Sequence, residues 1–272
     1  MKKKDQVSYL NHWMGVMLKE LAAFKQIADA EALHQFRVAK KRIQAWLEFI
    51  AAQGNTQAAC IRWRPFKNIY RATGKIRSHQ LLHLYLKDAH LALPKKDWSP
   101  LQEMIKSFNQ DYRQHRQIIR FYQRLIQVVP TSLDRKAIIQ YLEEKFKHVE
   151  KLLQHPEDQD NLHPARIEIK RLLYLQEIPG AKWPKHKFFV PGKLEELQKD
   201  LGEWHDRVNY LRLLKEEFPD QKEALAYAEQ DEQKLLKKLI TTLEKLNKNK
   251  RNTPAEHPKK GNKKDTNIAP TA

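Results

Sequence analysis

Two short strings carry the side chains best equipped for chemistry: HQFRVAKKRIQAWLEF at residues 34–49 and HPARIEIKRLLYLQE at 163–177. His34, Arg37, Lys41 and Arg42 stand in the first at the same spacing as His163, Arg166, Lys170 and Arg171 in the second. These groups are hydrogen-bond donors. Arginine offers a planar fork that matches two oxygens of a phosphate or carboxylate, lysine a compact charge, and histidine an N–H that needs no net charge. The chemistry open to them is the holding of a polyanion.

A lone basic run is ordinarily a solvated helix face with acids interspersed for i,i+4 pairing. Residues 32–47 hold no acid, and the pattern H-x2-R-[VI]-x2-K-R occurs twice. At about 100° per residue, His34, Arg37 and Lys41 fall within roughly 60° of one another. Phe36, Ile43, Trp46, Leu47 and Ile50 lie on the opposite side. In the second string His163, Arg166, Lys170 and Tyr174 share a stripe opposed by Leu172 and Leu175. Arg42 and Arg171 flank the stripes, and the small Val38 and Ala45 leave room beside the first. Nearby cations should lower the histidine pKa values, which makes both histidines neutral donors in the free chain. His163, before Pro164, is expected near a helix start, where free backbone N–H groups favour anions.

These stripes must sit on helices. Apolar residues recur at spacings of three and four almost throughout, and only seven glycines occur in 272 residues. The spacing predicts helices over about 8–28, 31–52, 57–73, 76–92 and a long 99–127, then 133–154, 162–177, 192–202, 204–217 and 219–247. Ser99-Pro100 with Gln102 reads as a cap, a first-turn proline and a capping partner. LPKKDWSP, HPEDQDN and IPGAKWPKHKFFVPG read as loops. A third basic stripe, Lys106, Arg113, Arg116, Arg120 and Arg124, lies on the long helix. Its counterpart on 219–247 offers Lys234, Lys238, Thr241 and Lys245, with acids nearby.

The chain repeats itself. His163 follows His34 by 129 residues, and Gly202 of LGEWHDRV follows Gly74 of ATGKIRSHQ by 128. That period is too long for a solenoid and implies a duplicated, all-α bundle, with halves at about 8–128 and 132–247. A duplication favours pseudo-two-fold symmetry, which would set the two basic helices face to face.

Composition agrees. The net charge is +18. The tail from Lys248 to Ala272 holds seven basic and two acidic residues, so +5, and the body keeps +13. Such a balance calls for nucleic acid, an anionic membrane surface or an inorganic polyanion. Residues 248–272 are expected to be a disordered basic tail. Cys60 is alone, which excludes an internal disulfide and favours a cytoplasmic setting. No signal peptide or membrane-spanning segment is read. His79-x3-His83 has metal-ligand spacing without a third ligand. Neither a phosphate-binding glycine loop nor an H-E-x-x-H motif is present.

The doubled histidine motif, with Tyr174 and Glu177 completing the second copy and LGEWHDRV at 201–208, resembles the CHAD domain, the conserved histidine α-helical domain. The resemblance spans roughly residues 8–247. It implies two antiparallel helical bundles related by pseudo-two-fold symmetry around a basic central groove or pore. It also implies inorganic polyphosphate as a ligand, bound without turnover and without a cofactor or metal, in the cytoplasm or at polyphosphate granules. Carried over residue by residue, the contacts are His34, Arg37, Lys41, Arg42, His163, Arg166, Lys170 and Arg171. Arg71 and Lys199, a turn before the equivalent glycines, Arg77 and His205 just after them, and Arg113 and Arg120 of the third stripe join them. This chain departs from the family pattern at Gln44 and Leu173, where arginine is usual, and at Ser78, where aspartate is. The few residues before the first predicted helix leave no room for the catalytic triphosphate-tunnel domain that precedes some members. Two rivals remain: weak, sequence-independent nucleic-acid binding, set against by aromatics that fall on apolar faces, and an enzyme of polyphosphate metabolism, which needs metal-holding acids or an activated nucleophile.

Overall fold

The computed structural model describes residues 1–61, 64–91, 98–111, 113–178 and 191–251. The expected tail beyond Arg251 and the loops centred on 92–97 and 179–190 lie outside the described residues. Ten α-helices follow one another among the described residues: α1 Lys3–Ile27, α2 Ala30–Ala52, α3 Thr56–Cys60, α4 Arg64–Asp88, α5 Ser99–Gln110, α6 Arg113–Gln127, α7 Arg135–Leu152, α8 Gln159–Gln176, α9 Pro191–Glu217 and α10 Lys222–Arg251. The fold is all-α. No described helix is long and apolar enough to cross a membrane.

Local chemistry sets the helix ends. Asp29 caps α2 by accepting from the Glu31 and Ala32 N–H groups, Asp134 accepts from Ala137 ahead of α7, and Asp158 from Asp160 ahead of α8. The α8 cap corrects an expectation. The helix begins at Gln159, so His163 lies past the first turn and the open N–H groups are upstream, at Asp158. Trp98, not Ser99, occupies the cap position of α5, and Pro100 sits in its first turn. The long helix expected over 99–127 is broken. Asp111 is extended (φ −76°, ψ 98°), and its Oδ1 accepts from the Arg113 N–H at 2.9 Å, starting α6. Conversely, the breaks expected after residues 73 and 202 are absent, since α4 and α9 run through Gly74 and Gly202. A mid-helix glycine costs only about 1 kcal/mol relative to alanine, too little to end a helix packed on both sides.

The apolar stripes build the core. Phe36, Ile43, Trp46 and Ile50 of α2 are fully buried with Phe24 of α1, Phe66 of α4 and Phe146 of α7. Phe36 stacks on Phe66 with ring centroids 6.0 Å apart. A second cluster joins the C-terminal ends of α4 and α9 to the start of α10 through Leu82, Tyr85, Leu86, Tyr210, Leu214 and Ala228. Backbone pairs from Leu133 to Met1 and from Lys3 to Thr131 pin the start of α1 to the segment between α6 and α7. α2 packs against α1, α4 and α8, and α8 packs against α7 and α9. The two basic helices therefore meet in the middle, with α4 and α9 beside them.

Candidate polyanion-binding site

On α2, Arg37 lies flat against α4. Its Nη1 donates to the Tyr70 carbonyl at 2.8 Å and to Thr73 Oγ1 at 3.2 Å, and its guanidinium sits 4.2 Å from the Tyr70 ring centroid. Tyr70, Thr73, Gly74 and Arg77 form one face of α4, at spacings of three and four. Gly74 is what permits the approach, because a Cβ there would stand 3.1 Å from Arg37 Nη1. On the other half Arg166 lies by Gly202 more loosely, with its Nε 3.9 Å from where a Cβ would be, behind Gln198 Nε2 at 3.4 Å. Its Nη2 stands 3.8 Å from Asp206 Oδ1, and its Nε is buried without a partner.

Lys41 and Lys170 gather with the two arginines. Burial pushes Lys41 down to about 7, with Lys170, Arg37, Arg166 and Lys40 adding like charge. Lys170 is pushed down to about 8 by burial and by Arg166, and Asp206 opposes. The histidines join at the edge. Nδ1 of His163 and Nδ1 of His205 are 3.2 Å apart. One of them therefore donates to the other, and each ring keeps its Nε2 for a further partner. Burial, then Arg166 and His163, holds His205 down at about 3. His163 is lowered by burial, Arg166 and Lys41, and His34 by burial and Arg77. All three are neutral at ordinary pH, so His34 has one N–H to give, and the His163–His205 pair, having used one N–H between its own rings, has one left on an Nε2. Arg77, at the position equivalent to His205, donates Nη1 to the Ala30 carbonyl at 3.1 Å and keeps a buried, unpartnered Nε.

Arg42 and Arg171 are placed differently. Arg42 gives Nε and Nη2 to the two oxygens of Glu177, each at 2.6 Å, under the Trp13 ring at 4.0 Å. Arg171 reaches Glu48 Oε2 from Nε at 2.9 Å and also binds Glu168. Glu177 follows Glu48 by the same 129 residues that separate Arg171 from Arg42. Each basic helix thus supplies the acid for the other helix's arginine, which explains why residues 32–47 hold none of their own. Gln44 links Lys40 to Glu48, donating to Glu48 Oε1 at 2.6 Å. Leu173 packs on the core, and Ser78 bonds back to the Gly74 carbonyl.

The remaining candidates are scattered. Arg71 and Lys199 are exposed on α4 and α9, and Arg113 and Arg120 are exposed on α6, which packs on α4 and α1. Of the histidine pair at metal-ligand spacing, His79 is buried and bonds Glu217 Oε2 at 2.8 Å, while His83 stacks on Trp98. Among the described residues no three His, Cys, Asp or Glu side chains gather to hold a metal. Sequence reasoning missed Tyr70, Thr73 and Trp13, and it gave no role to Asp206, Glu48 or Glu177, the last of which it read only as part of the second motif. Their signal was available in part. The two glycines align across the halves of a glycine-poor chain, and the acids keep the offset of the arginines.

A family model for the CHAD domain matches residues 9–215. The crystal structure of the CHAD domain from the plant Ricinus communis is similar in fold, with a TM-score of 0.63 and 18% identity over 93% of this chain and 92% of that one. No curated protein matches the sequence.

Proposed function

The chain belongs to the CHAD domain family, and from that premise we propose that it binds inorganic polyphosphate as a ligand without turning it over. The observation that carries the reading is the gathering of Lys41 and Lys170 with Arg37 and Arg166 where α2 packs against α8, desolvated and with like charges against them. Such an arrangement works against the free fold and is relieved by a multivalent anion. Arg37, laid along the face of α4 that Gly74 clears, and Arg166, beside Gly202 on α9, present guanidinium edges. Lys41 and Lys170 supply point charge. His34 adds a directional N–H donor and the His163–His205 pair adds one more through the Nε2 that keeps its proton, with Arg77 beside them. Arg42 and Arg171 hold the helices together and are not assigned to the ligand. Release of counterions from the polymer would supply much of the driving force, as it does on nucleic-acid backbones. Cations outnumber acids in this cluster, where Asp206 stands beside Arg166, whereas metal-assisted phosphoryl transfer asks for several metal-holding acids.

The test is a calorimetric titration with long-chain polyphosphate and with single-stranded RNA of matched charge, at two salt concentrations. Polyphosphate should bind more tightly at both. Equal affinity for the two polymers would make the protein a general polyanion binder. Incubation with polyphosphate, Mg²⁺ and ATP or ADP should leave chain length unchanged, and turnover abolished by Asp206→Asn would overturn the non-catalytic part.

A further inference from the structure

The third basic stripe is separated from the central cluster. α4 turns Tyr70, Thr73 and Gly74 toward Arg37, and its other side, with Asn68, Ala72 and Lys75, faces the groove that Arg113 lines. Whatever α6 does, it does on the outside of α4.

α6 has one buried side, made by Gln114, Ile118, Phe121 and Leu125. Its opposite side carries Arg116, Arg120 and Arg124, all exposed and without an ion pair among the described residues. Arg113 shares this face. No acid occurs in the sequence between Asp111 and Asp134, so the stripe lacks the alternating signs of a merely solvated helix. Gln123 and Gln127 fill the gaps. At 1.5 Å per residue the four guanidiniums span about 16 Å, one per turn of helix. Ile119 is the large apolar side chain left exposed on the helix, at 36%, which is too little to anchor the face in a bilayer. Among the described residues of α6 no aromatic ring lies on this face to stack a base. What the face complements is a bare chain of phosphates.

We propose that α6 is a second, outer track for the same inorganic polyphosphate chain, occupied together with the central cluster by polymers long enough to reach both. This rests on the function proposed above. A short oligomer fills the central cluster alone. A long one meets the outer arginines at high effective concentration, so the gain is confined to long chains. The arrangement makes the protein a selector of chain length, with α6 as the specificity-determining element.

The experiment uses the full chain carrying Arg116→Gln, Arg120→Gln and Arg124→Gln, titrated with tripolyphosphate and with long-chain polyphosphate. Long-chain affinity should fall by at least about tenfold. The slope of log affinity against log salt should flatten by roughly two units for three lost contacts. Tripolyphosphate affinity at the central cluster should change less than about twofold, because at physiological salt the removed charges are screened beyond a Debye length. The lysine variant Arg116→Lys, Arg120→Lys, Arg124→Lys keeps the charge and should retain most long-chain binding, which separates the track from a folding defect. Lys2→Gln, Lys3→Gln, Lys4→Gln removes the same charge elsewhere. A long-chain loss no greater than in that control, or an equal loss for tripolyphosphate, overturns the outer track and leaves the central site standing. A wild-type chain that binds neither ligand overturns both.

Discussion

At the level of single residues, the two glycines make different demands. Alanine at Gly202 meets only Gln198 Nε2 at 3.4 Å and Arg166 Nε at 3.9 Å, which is ordinary contact. Gly202→Ala should therefore gain the helix propensity, up to about 1 kcal/mol, and leave polyphosphate affinity unchanged. Alanine at Gly74 pushes on Arg37 Nη1 from 3.1 Å, and that nitrogen is held by the Tyr70 carbonyl and Thr73. Gly74→Ala should forfeit most of the propensity gain and weaken binding severalfold. Thermal melts and titrations of both variants check this, and identical behaviour of the pair would contradict it. The lysines set the pH dependence. Lys41 falls from 10.5 to about 7 and Lys170 from 10.5 to about 8. Above those values the unfolded chain holds more protons than the folded one, so stability of the free protein rises with pH from about 7 toward 10. A bound phosphate chain favours the charged ammonium, so binding near pH 8 takes up protons and weakens as the pH climbs. Calorimetry in two buffers of different ionisation enthalpy should give different heats, and the difference should vanish in Lys41→Arg with Lys170→Arg. His205, held at about 3, contributes nothing to this window.

At the level of elements, α2 and α8 are joined by ion pairs that exchange under the repeat: Arg42 with Glu177, Arg171 with Glu48. The Arg42 pair is bidentate, half-sheltered and covered by Trp13. A charged hydrogen bond of this kind contributes about 1.5–3 kcal/mol. Arg42→Ala should lower the melting temperature by several degrees while the salt slope of polyphosphate binding stays constant, and a flattened slope would show that Arg42 serves the ligand after all. The two basic helices were readable from the string H-x2-R-[VI]-x2-K-R, and so was the buried side of α2, because period and residue type both point one way. The struts were not. Glu48 and Glu177 act across helices, and nothing within either string says that each acid belongs to the other's arginine. Helix ends failed for a different reason. Gly74 and Gly202 read as breaks because local propensity is silent about what lies outside the helix, and here an arginine lies there. Asp111 was overlooked because the apolar period of α6 resumes in register after it, although an aspartate two residues before Arg113 is a helix cap by its own chemistry.

Over the whole molecule, a chain with +18 net charge folds with its most repulsive cations at the centre, which is the reverse of what stability alone would select. Surface lysines such as Lys3 and Lys4 are exposed at the other extreme. Two charges removed from each place should separate site from background. Lys41→Gln with Lys170→Gln takes away ammoniums that burial and their neighbours already disfavour, so the melting temperature at pH 7 should rise or hold. The same change should weaken binding of long-chain polyphosphate and flatten its salt slope by roughly 1.4 units, at about 0.7 per lost contact for single-stranded chains. Lys3→Gln with Lys4→Gln subtracts the same net charge from well-hydrated positions. It should leave the melting temperature unchanged and reduce affinity only through the weaker long-range field, an effect that shrinks further at 0.15 M salt, where the Debye length is about 8 Å. Affinity and stability thus move in opposite directions for the central pair and barely at all for the surface pair. Equal losses of affinity from the two pairs would mean that the chain attracts polyanions by its overall charge, and that the meeting of the two histidine helices is a matter of packing alone.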